Sequence, residues 1–318
     1  MENVLDVIDK EIMLELEENS RQSIAALARR IRRKKAQVAY RLERMQKRNV
    51  ITGYQYITNQ ILLGKMSFGI FLLFDGAVQE DLLLEKIAKV EGVSWSTPIL
   101  GNWDALIVVI KEDLLSFLAV LQRIFSLCGH HVKMYSFYAD YEGYITNHKY
   151  LYEHPRKISS HYGPGNHVEL TKNEQDVYTV LKKEPLLSLL DAAFKLGKTY
   201  DTMKACQLRL MQKRVLLRCR PRINIAVLGY REFLFLLQLR PFEERKKALL
   251  RFCLSHPLIM RYTHCLGHFD CMLTVHGKNE EDIKQVTYQL RKEFGDLLVH
   301  YEVLAHPAKA VPSLNPSP

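Results

Sequence analysis

The chain has 318 residues, 47% apolar and 25% charged, a balance that fits several packed domains and excludes a wholly disordered or fibrous protein. It contains no apolar run long enough to span a bilayer, and its opening MENVLDVIDKE is acidic, so neither a membrane span nor a secretory leader is expected. A formal charge of +10 points to a polyanionic partner, while six cysteines without paired spacing suit a reducing, cytoplasmic setting better than a disulfide framework.

From Asp6 to Asn19 the residues Ile8, Ile12, Met13 and Leu16 recur at helical spacing. Ser23 is a natural N-cap for a short second helix to Ile31, with Ile24, Leu27, Ala28 and Ile31 inward. A third helix from about Lys35 to Arg48 turns Val38, Leu42 and Met45 inward and leaves Lys34, Lys35, Gln37, Arg41 and Arg44 outside. Asn49 tolerates the left-handed conformation that often ends a helix, and Val50 to Tyr54 leaves as a strand. Three short helices with a basic last one predict a helix-turn-helix.

The period then changes. Ser67–Leu73, Gly92–Leu100, Ala105–Lys111 and Val132–Ala139 read as strands, with amphipathic helices over Gln79–Val90 and Asp113–Leu127. This is the β-α-β-β-α-β order of a ferredoxin-like domain, an antiparallel sheet with both helices on one face. The same order returns over Arg231–Leu239, Glu243–Ser255, Leu258–Cys265, Cys271–Val275, Glu280–Phe294 and Leu297–Leu304. The tetrapeptide MQKR, at Met45–Arg48 and Met211–Arg214, sets a repeat offset of 166 that also matches Ala39/Ala205, Leu42/Leu208, Gly101/Gly267, Asp104/Asp270 and Tyr135/Tyr301. The expected fold class is α+β, two copies of a winged, three-helix helix-turn-helix followed by a ferredoxin-like βαββαβ domain. The expected boundaries are 1–58 and 59–149 for the first copy, a proline- and glycine-bearing linker at 150–166, 167–224 and 225–305 for the second, and a disordered tail at 306–318.

Arg29 to Lys35 holds six cations in seven residues at the turn before the third helix. Duplex DNA is the natural counter-charge, since each phosphate neutralised releases condensed counterions. The residues expected to meet DNA are Arg32, Arg33, Lys34, Lys35, Gln37, Tyr40, Arg41 and Arg44. Arginine can read guanine and Gln37 adenine, though a charge run can also be a solvated face. In the second copy Lys198, Thr199, Tyr200, Thr202 and Lys204 hold the equivalent places, with Asp201 among them and fewer cations. Val215 stands where Asn49 does, and a β-branched residue resists positive φ, so that turn should be built differently. His264-Cys265-x-x-His268-x-x-Cys271 could be drawn as a metal site, but alternation along a strand would part its members, and no metal or cofactor is expected.

These residues resemble the Lrp/AsnC family of transcription regulators. The match lies in Leu5, Asp6, Asp9, Asn19, Ser20, Arg21, Ser23, Leu27 and Ala28, in VAYRLERMQKRNVITGY from Val38 to Tyr54, and in a G-x-x-D turn at Gly101–Asp104 and again at Gly267–Asp270. The chain departs from the family pattern at the start of the recognition helix, where Arg33-Lys34-Lys35 replaces a Ser or Thr cap. The resemblance implies a regulator that binds double-stranded DNA, self-associates through its ferredoxin-like domains and answers to a small effector, often an amino acid. Gly101, Asn102, Asp104, Gly267, His268 and Asp270 would line the effector site, or Gly101 and Asp104 simply close a β-turn. A tandem chain would supply both recognition helices of a regulator pair by itself. Two other readings are a siroheme decarboxylase-like enzyme, whose H-N-Y-x-R type motif is not assembled here, and an architectural protein that coats DNA of any sequence.

Overall fold

The computed structural model describes residues 4–306 apart from Ala77, Pro155 and Phe242, so the expected tail lies outside the described residues beyond His306. In chain order the elements of the first half are α1 (Val7–Glu18), α2 (Ile24–Arg30), α3 (Lys35–Lys47), β1 (Ile51–Thr58), β2 (Met66–Phe74), α4 (Glu80–Ile87), β3 (Val93–Pro98), β4 (Ala105–Lys111), α5 (Leu114–Cys128) and β5 (Val132–Thr146). After β6 (Ser159–Tyr162) come α6 (Lys172–Lys183), α7 (Leu189–Leu196), α8 (Tyr200–Gln212), β7 (Leu216–Ile223), β8 (Arg231–Leu239), α9 (Glu243–Ser255), β9 (Ile259–Gly267), β10 (Cys271–Gly277), α10 (Glu280–Phe294) and β11 (Leu298–Ala305). The same order of elements occurs twice, and it divides into two compact units that interleave along the chain.

One unit holds both helix-turn-helix modules. Each first helix opens on a capping box, Asp6 with Asp9 in α1 and Thr171 with Glu174 in α6, and Ser23 and Ser188 cap the second helices. Ile12, Met13, Leu16, Leu27, Val38 and Met45 close the first core, whereas Ile24 is 38% exposed rather than inward. Strand β1 pairs antiparallel with β7 from Ile51↔Ile223 to Thr58↔Leu216, so each module's exit strand completes the other's. The exchange is reciprocal at its ends: Asn224 N donates to Val50 O and Asn59 N to Val215 O. Arg21 adds a clamp between the modules by donating to the carbonyls of Pro185 and Leu187.

The segment expected as a plain linker is packed in part. Leu151 and Tyr152 are buried in the first module's core, the Tyr152 hydroxyl donates to the buried Glu17 carboxylate at 2.8 Å, and Arg156 bonds Glu18 at 2.9 Å. Its apolar residues follow no helical or strand period, which is why the sequence reads as loop.

The other unit holds both ferredoxin-like folds. Its strands run in the order β11-β8-β10-β9-β5-β2-β4-β3, each half contributing four neighbours and β5 pairing with β9 from Tyr138↔Gly267 to Ile145↔Arg261. Beneath the helices lie two separate cores, one around Ile70, Ile107, Phe117 and Ile124 and one around Phe235, Tyr262, Leu273 and Leu290. A third cluster draws Phe71, Trp103 and Tyr138 from one half together with Leu236, Phe269 and Leu304 from the other.

The 166-residue offset holds only in part. Corresponding elements lie 165 positions apart from α1 and α6 through β2 and β8, and 166 apart from β3 and β9 onward. The repeated MQKR therefore falls one residue out of structural register: Met45 is buried and Met211 is 47% exposed. The same slip corrects the second turn. Arg214 takes the left-handed conformation at φ 57, as Asn49 does at φ 56, and Val215 is buried like Val50, so both recognition helices end alike.

A candidate DNA-binding face

The turn between α2 and α3 is closed by backbone hydrogen bonds from Arg32 N to Arg29 O and Arg33 N to Ala28 O, with Arg32 at φ 54. The second module has Gly197 at the same place, φ 61. Helix α3 then starts without a side-chain cap, because Lys34 holds the N-cap position and has no acceptor to offer. Its first amides and the positive end of its dipole thus stand among cations, an arrangement that suits an anion such as phosphate.

The cations do not all serve alike. Arg30 is bound to Glu15 at 2.7 Å and to Glu18 at 3.2 Å, and Arg33 lies 3.6 Å from Glu11. Arg29, Arg32, Lys34 and Lys35 are exposed and have no ion pair among the described residues. Gln37 is exposed too, as is Tyr40 at 64%. Together they leave four uncommitted cations around an open helix start.

Arg41 and Arg44, expected to face outward, are instead half-buried and turned back. Arg41 bonds Asp6 at 2.5 Å and Asp9 at 2.8 Å, and Arg44 bonds Asp9 at 2.6 Å. Burial pushes the Asp6 carboxyl up, but Arg41 and the Asp9 amide outweigh it and hold Asp6 below the ordinary range. These two arginines lock α3 onto α1. Glu174 does the same for α8, binding Arg209 at 3.2 Å and Lys213 at 3.0 Å. Sequence reasoning missed this double duty of the capping-box acid; an acid three residues after an N-cap is its visible signal.

In the second module Lys198 is spent on Asn173 at 2.7 Å and Asp176 at 3.0 Å. Thr199 caps α8 by accepting from Thr202 N, and the two hydroxyls share a further bond. Tyr200 is 47% exposed and Lys204 is exposed, yet Phe194, 92% exposed, stands where the first module has Arg29. The basic face of the first module has no counterpart here.

The G-x-x-D turns prove to be structural joints. Asp104 Oδ2 accepts from Phe74 N at 2.7 Å and Asp270 Oδ2 from Leu239 N at 2.7 Å, so each carboxylate finishes the first strand of its own fold. Gly101 and Gly267 adopt φ 143 and 149, and a Cβ would meet Leu304 Cδ2 at 2.6 Å at the first and Phe137 O at 2.6 Å at the second. Leu100 and Ala305 exchange both backbone hydrogen bonds, at 2.8 and 2.9 Å, and Trp103 Nε1 donates to Glu302 at 3.2 Å. Asn102 and His268 are the exposed side chains of the two turns. Cys265 packs in the cluster shared by the two halves and Cys271 under the helices of the second half, on opposite faces, so the drawn His/Cys set does not converge.

An uncapped recognition helix, a basic turn and a paired exit strand define a helix-turn-helix DNA-binding protein. Residues 5–52 match the family model described as winged helix-turn-helix DNA-binding. An uncharacterized HTH-type transcriptional regulator of Pyrococcus furiosus is 32% identical over 114 residues, spanning 34% of this chain and 75% of that protein, and one of Pyrococcus horikoshii is 30% identical over the same shares. The chain belongs to this family of HTH-type transcriptional regulators and is a DNA-binding protein of that kind. Among solved structures, the siroheme decarboxylase NirDL in co-complex with an iron-uroporphyrin III analogue superposes with a TM-score of 0.63 over 96% of this chain and 92% of that one, at 14% identity. That likeness concerns the fold alone. No described helix is long and apolar enough to cross a membrane.

Proposed function

We propose that the chain is a sequence-specific regulator of the Lrp/AsnC type whose two halves act as one intramolecular pseudo-dimer, with the first module as the DNA reader. The observation that carries this reading is the set of Arg29, Arg32, Lys34 and Lys35 around the uncapped start of α3. The β1–β7 exchange and the β5–β9 seam support the pseudo-dimer, since each joins like parts of the two halves within one chain. In this reading the exposed Gln37 and Tyr40 meet base edges, and Tyr200, Thr202 and Lys204 give the second module a weaker, sequence-tolerant contact. Selection of bound fragments from random DNA, followed by anisotropy titrations at several salt concentrations, tests it. Selected sites are expected to beat unrelated DNA by at least ~10³-fold, and Lys35→Ala to lower the salt slope by about one while sparing sequence preference. Equal binding of all sequences would make the protein an architectural one.

An amino-acid effector follows from the resemblance; Asp104 and Asp270 each spend one carboxylate oxygen on a strand amide. A thermal-shift screen over the amino acids checks it, and a flat result removes the effector. The likeness to NirDL supplies an enzyme reading; siroheme added to the protein is expected to keep its free absorption spectrum, and a bound spectrum with loss of carboxyl groups would overturn the regulator assignment.

A further inference from the structure

Arg30, the last residue of α2, is held twice: its Nε binds Glu15 at 2.7 Å and its Nη2 binds Glu18 at 3.2 Å. Arg156, from the segment between β5 and β6, binds the same two carboxylates, Glu18 at 2.9 Å and Glu15 through its other terminal nitrogen. Two arginines and two acids of α1 thus share one cluster. Three of the four side chains are open, Arg30, Arg156 and Glu18 keeping 44, 43 and 40% of their surface, whereas Glu15 keeps 9%. The fold itself does not ask for this arrangement. At the 165-residue offset the second module has Val180 and Lys183 in the places of Glu15 and Glu18, and Lys195, in the place of Arg30, binds Glu184. The doubled cation belongs to the module with the basic face.

A second cation on the same acids changes what the first can do. Taking an arginine from a buried carboxylate is costly because it strands the acid, and the cost falls when another cation stays in contact. With Arg156 in place Arg30 can swing away: Glu15 keeps a partner, and the exposed Glu18 returns to water. We propose that Arg30 is a reserve phosphate contact, handed to the DNA backbone on binding, and that Arg156 is the positioning residue that releases it. This rests on the DNA reading of the first module and adds a fifth cation to Arg29, Arg32, Lys34 and Lys35. It also gives the segment between the halves, seated on α1 through Tyr152 and Glu17 as well, control over how many phosphates the module holds.

The salt dependence of binding to one selected duplex tests this on the full chain. Each phosphate contact contributes about 0.9 to the slope of log K against log salt. Arg30→Ala is expected to lower the slope by about 0.9, so that affinity falls about threefold less between 50 and 200 mM salt. Arg156→Ala is expected to lower it equally, because Glu15 and Glu18 then keep Arg30. The double variant should lose no more than either alone. Arg156→Ala with Glu15→Gln, which removes the charge that would be stranded, should recover the wild-type slope. Arg156→Lys, which leaves a cation beside both acids, should keep that slope and so separates the effect from misfolding. The proposal is overturned by an unchanged slope in Arg30→Ala, by losses that add in the double variant, which would put Arg156 itself on DNA, or by a slope that Glu15→Gln does not recover. A wild type that binds no duplex at any salt would sink the DNA reading instead.

Discussion

Arg32 is held at φ 54, where a Cβ crowds the backbone, while Gly197 takes the matching turn without that penalty. A non-glycine residue kept at such a position is a sign of use, because the chain itself shows that glycine closes the same turn. Arg32→Gly should raise stability by about 0.5–1 kcal/mol in urea melts and weaken DNA binding at moderate salt by about fivefold or more. A variant that is steadier and binds as well would remove Arg32 from the interface. The G-x-x-D aspartates give a second residue-scale prediction. Asp104→Ala strips the partner from the Phe74 amide and should destabilise the protein by about 1–3 kcal/mol, whereas Asp104→Asn keeps a carbonyl acceptor and should recover most of that loss. If Asp104→Ala melts like wild type while abolishing a ligand-induced shift, the carboxylate serves an effector after all. Neither role was legible: glycine and aspartate at that spacing suit a turn and a ligand equally, and only the path of the neighbouring strand decides.

Glu174 shows how one side chain can set an element's start and its neighbour's position. It accepts from the Thr171 amide at 2.9 Å as a capping box, and it also holds Arg209 and Lys213 of the α8 end. Burial pushes this carboxyl up, but the Thr171 amide and Lys213 outweigh that and bring it to about 2, from a free value of 4.5. A folded value below the unfolded one means that the clamp stabilises fully above about pH 4.5 and is lost as the pH falls toward 2. Glu174→Gln should therefore cost about 2 kcal/mol at pH 7, after discounting for the half-exposed Arg209, and the gap from wild type should narrow as the pH falls below about 4.5 and close only near pH 2 in denaturant titrations. A gap independent of pH would leave only the neutral cap. Elements were the most readable layer, because hydrophobic period, caps and turn residues are local. What slipped was register: MQKR looks like a repeat in phase, yet burial of Met45 and exposure of Met211 place it one residue out. Identity counts letters, whereas the helix end is fixed by which residue turns left-handed.

On the scale of the whole molecule, two modules with one fold present different faces. The exchange of exit strands β1 and β7 was beyond reach of the sequence, since strand pairing across 165 positions leaves no local trace. Charge asymmetry was partly readable in the cation count, but not that Lys198 is tied to Asp176, that Arg41 and Arg44 are tied to Asp9, or that Phe194 replaces Arg29. If the pseudo-dimer sets both modules on one duplex, half-sites fall about one helical turn apart, roughly 34–36 Å. Only the first half should then be read closely. Footprinting on a selected site should show strong protection over one half and weak protection over the other. Substituting bases in the strong half should cost about 1–3 kcal/mol each, and in the weak half a few tenths. Lys34→Ala with Lys35→Ala should erase both footprints together, because the second module lacks the cations to hold DNA alone, whereas Tyr200→Ala with Lys204→Ala should thin only the weak one. Equal protection of two palindromic halves, or a footprint that survives the loss of Lys34 and Lys35, would show that α8 reads DNA as α3 does, and that the apolar face around Phe194 is compatible with a groove.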